Sequence, residues 1–303
     1  MPQSTAPAPA DLRRDRPQDA IAWLHSAPFL AMHLSPLLMI WVPLETKHIV
    51  LIFALYFGRI FFITASYHRY FAHRSYKMGP RMELTMAILG MTSMQKGVLW
   101  WAANHRLHHK HSDFPDDVHS PKQHGFWWAH MGWILSKRHL DTEWDAIRDF
   151  ARSPALRWLN VYHWVPGLAL GTLCGVAFGA PGVVAMLMST VLVFHGTFTI
   201  NSLAHVIGRA RYATADTSRN SLALALLTLG EGWHNNHHAY QSSCNQGFFW
   251  WEIDITYYLL RALEKLGLVR DLRMPPEHVL TRKLIGSGDL PSKPGISQRP
   301  NTG

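Results

Sequence analysis

Four apolar stretches stand out along the chain, and polar segments rich in His, Asp and Trp separate them into two pairs. The first pair covers residues 28–44 and 49–66, and the second covers residues 158–178 and 183–200. A membrane-spanning helix needs about 20 predominantly apolar residues, so each stretch is close to that length. Because only a few residues join the members of each pair, the pattern predicts two helical hairpins in a membrane.

Polar sequence surrounds these four predicted spans. We expect a flexible tail at residues 1–22, rich in Pro, Ala and mixed charge, and a disordered tail at residues 285–303, rich in Gly, Pro and Ser. Residues 23–284 between them are expected to form one domain. Its polar segments, 67–157 and 201–284, are predicted to build a helical cap on the spans.

The charge distribution predicts on which side of the membrane the cap lies. The formal net charge is +9, and the two short links inside the hairpins carry only one basic residue, Lys47. Loops rich in Lys and Arg usually remain in the cytoplasm, and here the tails and the cap carry nearly all of these residues. Both termini and the cap are therefore predicted to be cytoplasmic. The predicted fold is therefore an all-α integral membrane protein with four transmembrane helices in two hairpins and a cytoplasmic helical cap. Within the cap, residues 82–101 are apolar enough to form a helix in the interface.

Composition narrows the possible partners and the compartment. No basic stripe with interleaved aromatic residues is present, so the positive charge does not predict a nucleic-acid partner. A lipid bilayer with anionic headgroups, or an acidic protein, explains the charge better. The two cysteines, Cys174 and Cys244, lie in an apolar and a polar segment respectively. We therefore expect no disulfide and a reducing compartment.

Histidine is concentrated in four groups at the cap-side ends of the predicted spans. The groups are His68 and His73; His105, His108 and His109; His205, four residues after Asn201; and His234, His237 and His238. Imidazole is the commonest metal ligand in proteins. Residues spaced i, i+3 and i+4 share one helix face, so each triplet can present its nitrogens together. His68 and His73 are about 140° apart on an α-helix, which predicts that the helix ends or bends between them.

Nine imidazoles and one amide are too many ligands for one ion, so the sequence predicts a site for two metal ions. Nitrogen ligands suit Zn, Cu, Fe or Ni. Structural zinc sites usually recruit cysteine, which these groups lack. Helix-bundle di-iron proteins combine Glu residues with a Glu-x-x-His motif from each of two helices, whereas the ligand groups predicted here are almost entirely imidazole. A di-iron centre in this chain would therefore belong to a different, histidine-rich class.

At these motifs the chain resembles the membrane fatty acid desaturases, in the acyl-CoA branch of the stearoyl-CoA Δ9 type. The boxes His68–His73, His105–His109 and His234–His238 match that family in spacing. The wider contexts that match are His73-Arg-Ser-Tyr-Lys77, Gly125-Phe-Trp-Trp-Ala-His-Met-Gly-Trp133, Asn201-Ser-Leu-Ala-His205 and Gly230-Glu-Gly-Trp-His-Asn-Asn-His-His238. Alkane and carotenoid hydroxylases share the box spacing, whereas the last two contexts are much more specific and favour the acyl-CoA branch. The resemblance covers roughly residues 30–275.

The resemblance implies an oxygen-dependent enzyme that introduces a cis double bond, at Δ9, into a saturated acyl chain held in a kinked tunnel. It implies two iron ions, dioxygen as co-substrate, nine histidine ligands in the four groups, and Asn201 reaching iron through water. Two positions depart from the animal members, which have Arg-Asp at Ala103-Asn104 and Trp at Phe198. Those positions hold acyl-CoA in animal members, so CoA, acyl carrier protein and lipid all remain open as carriers.

Other residues near the boxes are candidates for supporting roles. Ligand imidazoles usually donate their second N–H to a carboxylate, and the candidates for this are Asp113, Asp116, Asp117 and Glu231. The candidates for substrate contact are Trp101, Asn104, Lys122, Trp127 and Phe198.

Electrons are expected to come from a separate protein, because the His-Pro-Gly-Gly haem motif does not occur in this sequence. A ferredoxin-, cytochrome b5- or flavin-reductase-type donor would suit the reaction. A basic face could attract such an acidic partner. The candidates for that face are Arg69, Arg74, Lys77, Arg106 and Lys110.

Two other functions are compatible with the same motifs. A di-iron membrane hydroxylase acting on alkyl or terpenoid chains would use the same ligands and would differ only in its product. A metal-handling membrane protein would place its ligands inside the spans and would bind metal exchangeably. The histidines lie at the ends of the spans, which favours the enzymes.

Overall fold

The computed structural model describes residues 19–281, which are mostly helical. The elements are α1 Trp23–His33, α2 Thr46–Phe62, α3 Pro80–Met91, α4 Val98–His111, α5 Pro121–His124, α6 Trp133–Leu135, α7 Pro154–Val161, α8 Val165–Asn201, α9 Leu222–Leu227, α10 His234–Ala239, α11 Ile255–Lys265, α12 Glu277–Leu280, π-helical segments Ile63–Ala72 and Trp128–Gly132, 3-10 segments Ser35–Ile40, Lys137–His139, Trp144–Ile147 and Leu203–His205, and strands β1 Lys77–Met78 and β2 Val269–Arg270.

The predicted tails fall mostly outside the described residues, which exclude 1–18 and all of 285–303. The last residues assigned to the N-terminal tail are part of the fold. The amide of Ala22 donates to Leu135 O at 2.8 Å, and the amide of Lys137 donates to Ala20 O at 3.0 Å. The folded chain therefore includes residue 20, slightly before the predicted boundary at residue 23.

Three helical segments of the described residues are long and apolar enough to cross a membrane: Trp23–Ile40, Thr46–Ala72 and Val165–His205. The third is a hairpin, because the chain reverses at Gly179, whose φ of 66° and ψ of −158° are not helical. A Cβ atom placed on Gly182 would overlap the carbonyl of Cys174, so the two arms touch through their backbones. Glycine is the residue that tolerates both the positive φ and the close approach.

Two of the predicted apolar helices have different boundaries in the structure, and a proline lies in the first turn of a helical segment in each case. The first begins at Trp23 rather than residue 28, and its last turns are a 3-10 helix with Pro36 in the first turn. The stretch 158–178 is interrupted between α7 and α8, where Pro166 occupies the first turn of α8. Proline favours that position because its missing N–H has no helical partner there.

The predicted interfacial helix at residues 82–101 is also divided, into α3 and α4. Met94 and Lys96 between them have φ values of 58° and 61°. Asn160 of α7 fixes the start of α4, because its Oδ1 accepts the amides of Leu99 at 3.1 Å and Trp100 at 2.9 Å. This contact satisfies two of the N–H groups that the first turn of a helix leaves unpaired.

The largest buried cluster surrounds the π-helical segment that continues α2. Tyr67 and Phe71 of that segment are fully buried and share the cluster with Met86 of α3 and Leu99 of α4. The C-terminal part joins the same region through β1 and β2, which pair antiparallel with Lys77 opposite Arg270. These contacts hold the ends of α2 and α4 and the segment that carries α10 in one rigid assembly.

Candidate metal centre

The structure gathers all nine predicted histidines into two neighbouring groups. In each group, one ring nitrogen per residue lies within 4.8 Å of every other member. The five-histidine group consists of His68, His73, His105, His109 and His237, and the four-histidine group consists of His108, His205, His234 and His238. Helices α4 and α10 contribute to both groups: the residues i and i+4 of each triplet belong to one group, and the residue i+3 belongs to the other.

The first pair of histidines meets through a wide helical turn. The amide of His73 donates to His68 O at 3.1 Å, which is an i to i+5 bond. The segment Ile63–Ala72 is π-helical, so residues five apart lie almost above one another, and the two rings are 4.8 Å apart. The helical segment ends at Ala72, so the prediction that the helix would end or bend between the two histidines is confirmed, and the segment is also wider than an α-helix. Such π turns occur frequently at functional sites.

The ring nitrogens converge in the way that a metal ion requires. Nε2 of His105 lies 2.9 Å from Nε2 of both His73 and His109, and Nε2 of His237 lies 2.9 Å from His109 and 3.1 Å from His68. Neutral imidazoles have one N–H each and cannot satisfy such a ring by hydrogen bonding alone. Nitrogens about 2.0–2.1 Å from one ion are separated by distances of this size.

The four-histidine group shows the same fit. Nε2 of His205 and His234 are 3.1 Å apart. Nε2 of His108 and Nε2 of His238 are buried and have no hydrogen-bond partner among the described residues. Buried polar atoms almost always have a partner, so orphaned nitrogens that face one another indicate a cation site.

Burial keeps most of these rings neutral. It lowers the pKa of His105, His109, His234 and His237 well below the ordinary value for histidine, and the neighbouring histidines add to the effect. A neutral imidazole has the free lone pair that metal binding needs. His108 differs: burial opposes its protonation, but the neighbouring Asp117 outweighs that and raises its pKa.

Three rings direct their second nitrogen at a carboxylate within hydrogen-bond distance: Nδ1 of His68 at Glu231 (2.5 Å), of His108 at Asp117 (2.8 Å) and of His238 at Asp216 (2.7 Å). Nδ1 of His205 is 3.3 Å from Thr217 Oγ1, and the carboxylate of Asp113 lies 3.8 Å away. Such contacts fix the tautomer and leave Nε2 free for the metal. Three of the four carboxylates are among the predicted candidates.

The other predicted carboxylate, Asp116, is exposed and contacts no histidine of the two groups. Sequence analysis missed Asp216, which lies 22 residues before His238 and outside every histidine motif. Its only signal was an acidic residue in the polar segment between the Asn201–His205 motif and the last box. Burial opposes ionisation of this carboxyl, but hydrogen bonds from His238 and Ser218 hold its pKa below the usual value.

Arg69 is fully buried, so the proposed role in attracting an electron donor was wrong for this residue. Its guanidinium donates to Glu231 Oε1 at 3.2 Å and to Asp254 Oδ2 at 2.9 Å. It also donates to Cys244 O at 2.7 Å. Arg69 thereby fixes the position of the Glu231 carboxylate, which in turn contacts the ring of His68.

A large cavity of 880 Å³ lies between α1, α4 and α8 and reaches the five-histidine group at His105. Phe29, Trp101 and Phe198 are among its lining residues, and Asn201 lies in its wall. Trp101 stacks on His105 with ring centres 5.0 Å apart. The size and the aromatic lining are typical of a site for an apolar small molecule.

The predicted substrate candidates divide into two sets. Trp101 and Phe198 line the large cavity, whereas Asn104, Lys122 and Trp127 do not. Asn104 is buried and donates to Trp100 O at 3.0 Å within α4. Lys122 is exposed, and Trp127 is 72 % exposed.

A small polar pocket of 420 Å³ reaches the five-histidine group at His73 and His109. Arg106, Lys110 and Arg273 also line it, and it shares no lining residue with the large cavity. The charge of Arg106 is offset by Asp149, which accepts two bonds from its guanidinium at 2.9 and 3.0 Å.

Of two further buried histidines, one lies beside the four-histidine group and the other does not. His119 is buried and stacks on His108 at 4.2 Å, and these two residues form a third possible ligand set with Asp117. His130 hydrogen-bonds to Ser202 Oγ at 2.9 Å and to His195 at 3.0 Å, away from both groups.

Comparison with known proteins gives a separate line of evidence. A family model described as fatty acid desaturase matches residues 46–272. The sn-1 stearoyl-lipid 9-desaturase of Synechocystis sp. is 37 % identical, covering 92 % of this chain and 88 % of its own. The acyl-CoA C20 Delta5-desaturase of Anemone leveillei is 38 % identical, covering 74 % and 73 %. The Delta-9 acyl-lipid desaturase 2 of Arabidopsis thaliana is 38 % identical, covering 74 % of each chain.

Proposed function

The chain belongs to the fatty acid desaturase family, and on that premise we propose that it introduces a cis double bond, at Δ9, into a saturated acyl chain. The observation that carries the proposal is the convergence of nine imidazoles beside the aromatic wall of the large cavity. The proposed reaction consumes the saturated chain, one dioxygen, two electrons and two protons, and it yields the alkene and two waters.

We assign one iron ion to each histidine group, with Asn201 joining the four-histidine group through water. Asn201 ends α8, four residues before His205, which supports this assignment. The bound iron would supply the activation of dioxygen that removal of hydrogen from an unactivated methylene requires. All nitrogen donors in these groups are compatible with iron.

The protein's own contribution is to position the acyl chain and to exclude water. The large cavity would hold the chain beside His105 and Asn201, where the aromatic rings of Trp101 and Phe198 restrict its path. Two of the polar side chains in the wall are paired with each other, because Gln95 Nε2 donates to Thr197 Oγ1 at 2.9 Å. In such a reaction, positioning one C–C bond beside the metal ions contributes more to the rate than acid–base catalysis does.

We propose acyl-CoA as the carrier, because the Asn201–His205 and Gly230–His238 contexts resemble that branch. An acyl-lipid is the second candidate, since the relative that covers 92 % of this chain is named as acting on a stearoyl lipid. Purified protein given stearoyl-CoA in one assay and stearoyl glycerolipid vesicles in another would distinguish the two. Product formed only from the vesicles would refute the CoA assignment.

For topology we propose four spans, with the α8 hairpin supplying two, and a cytoplasmic cap. The support is the reversal at Gly179 and the nearly uncharged links inside the hairpins. A reporter inserted after Pro181 should be accessible only from outside the cytoplasm. A reporter inserted after Arg148, which is exposed in the cap, should be accessible only from the cytoplasm.

For the electron donor we propose an acidic, separate redox protein that docks over the small pocket. Two cations of its lining, Lys110 and Arg273, have no salt-bridge partner among residues 19–281. Attraction between opposite charges would raise the association rate at low salt. Reversing both charges should slow reduction and weaken its salt dependence, whereas Arg148→Glu, far from the pocket, should leave both unchanged.

The decisive experiment is expression in a host with a simple lipid profile, followed by mass spectrometry of its fatty acids. We expect a new monounsaturated species with the double bond at Δ9. A hydroxylated product would instead support the alkyl or terpenoid hydroxylase. Loosely bound, exchangeable metal with no new lipid would support a metal-handling protein.

A further inference from the structure

The two histidine groups differ in the number of carboxylates that contact them. The four-histidine group has three, which are Asp113, Asp117 and Asp216. The five-histidine group has one, Glu231, although it contains more imidazoles. Neutral imidazoles add no charge, so the number of carboxylates sets the negative charge beside each group.

The charged neighbours of Glu231 leave the negative charge beside the five-histidine group small. Both Nε and Nη2 of Arg69 bond to Glu231 at 3.2 Å, and the same guanidinium also pairs with Asp254. These three groups together carry a net charge of about −1. Lys110 and Arg273 add positive charge near His73 and His109.

The carboxylates of the four-histidine group have no such compensation. Among the described residues, their partners besides histidine are hydroxyl groups and backbone amides. Asp113 accepts from Ser120 at 2.5 Å and from Thr217 at 2.6 Å, while Asp216 accepts from Thr214 at 3.0 Å. No Lys or Arg of residues 19–281 lies within salt-bridge distance of any of the three.

Burial makes this charge difference effective. The side chains of Asp113, Asp117 and Asp216 are 1 %, 0 % and 8 % exposed, so water and salt screen them poorly. A carboxylate that accepts the Nδ1–H of a ligand imidazole also makes that imidazole a stronger donor. Both effects stabilise the higher charge of a ferric ion relative to a ferrous one.

We propose that the two iron sites are electronically unequal and that the ion held by the four-histidine group is the more easily oxidised. One-electron oxidation of the diferrous protein then gives a mixed-valence state with the ferric ion in the four-histidine group; the electron passes to the added oxidant. Asp117 and Asp216 act as positioning residues through His108 and His238. This inference rests on the proposed function, which assigns one iron ion to each group.

The first test needs no variant. The full-length protein loaded with ⁵⁷Fe is titrated with a one-electron oxidant such as ferricyanide and followed by Mössbauer and EPR spectroscopy. We expect two separate one-electron steps with a half-integer-spin EPR signal between them. A single two-electron step without that signal would overturn the inference.

The second test assigns each step to a group. Asp216→Asn should make the first oxidation at least tenfold less favourable, which is about 59 mV for one electron, and should leave the second almost unchanged. Glu231→Gln should act on the second step instead. Asp145→Asn, which neutralises an exposed carboxylate paired with Arg148, is the control and should shift neither step. Asp117→Asn serves as a second probe of the four-histidine group if Asp216→Asn loses iron.

The outcomes separate this inference from the proposed function. Variants of the two groups that shift the same step, or neither step, refute the inequality even if the protein holds two iron ions and makes an alkene. A protein that binds no iron refutes the inequality and the proposed function together. Iron content and fatty acid products are therefore measured on the same preparations.

Discussion

The carboxylate of Asp216 lies 2.7 Å from Nδ1 of His238, so a residue outside every histidine motif orients a ring of the four-histidine group. The loop before α9 thereby belongs to the metal centre even though it contributes no imidazole. Asp117 plays the same part for His108 from the segment that follows α4. The centre depends on these supports as well as on its histidines.

Asp216→Ala should lower iron affinity, because His238 loses the acceptor that fixes its tautomer. Loss of such a partner typically costs a factor of about 10–100 in metal affinity. Competition with a chromophoric chelator measures the effect, and Asp116→Ala, at an exposed carboxylate without a histidine contact, is the matched control. Equal affinity in the two variants would contradict the role of Asp216.

His108→Ala and His237→Ala should each abolish desaturation, since each removes a nitrogen from one group. Fatty acid analysis of the expression host reports the loss. His111→Ala is the matched control, because this histidine is also on α4 but belongs to neither group. Wild-type product from either ligand variant would argue against the assignment of ligands.

Arg69→Met should destabilise the fold strongly, because it leaves Glu231 and Asp254 buried without their cation. Removing one partner of a buried ion pair costs roughly 3–5 kcal/mol. Thermal unfolding in detergent measures the change, and Arg74→Met provides the comparison at a side chain that is 55 % exposed. A similar loss in both variants would show that the buried network contributes little.

Asn160→Ala should destabilise the start of α4, because two buried amides lose their acceptor. Loss of a helix cap costs about 1 kcal/mol, with a range of roughly 0.5–2. Asn160→Asp keeps the acceptor oxygen and should be closer to wild type. Hydrogen exchange at Leu99 and Trp100 checks the mechanism, since faster exchange is expected only in the alanine variant.

Met32→Trp should shift the product profile toward shorter acyl chains. Met32 lines the large cavity, and a larger ring there reduces the volume left for the substrate. Chain lengths of the monounsaturated products report the shift. Met39→Trp, at a residue that does not line the cavity, should leave the profile unchanged, and an unchanged profile in both would disconnect the cavity from the substrate.

The sequence predicted the convergence of the histidines better than it predicted the helix boundaries. The spacing in His105–His109 and His234–His238 predicts that the rings of each triplet lie near one another. The convergence of the imidazoles could therefore be predicted from the sequence. The division into five and four could not, because it depends on how α4 and α10 face each other. Apolar patterns located the spans, but Pro166 and the left-handed residues Met94 and Lys96 set boundaries that hydrophobicity does not encode.

The polar supports were the hardest part to predict. Glu231 and Asp117 lie within or just after histidine motifs, so proximity in sequence was a fair guide. Asp216 reaches His238 only because the chain folds back, and Arg69 lies within the first box but is buried. From the sequence alone, a basic residue beside a motif is expected to be exposed. Only the positions of Glu231 and Asp254 in the structure show that Arg69 is a buried ion-pair partner.

The large cavity and the small pocket approach the five-histidine group from separate walls and have no lining residue in common. If the acyl chain enters through the large cavity and the redox partner docks over the small pocket, neither one blocks the other. The metal ions could then be reduced while the acyl chain is still bound, so turnover would not depend on which of the two binds first.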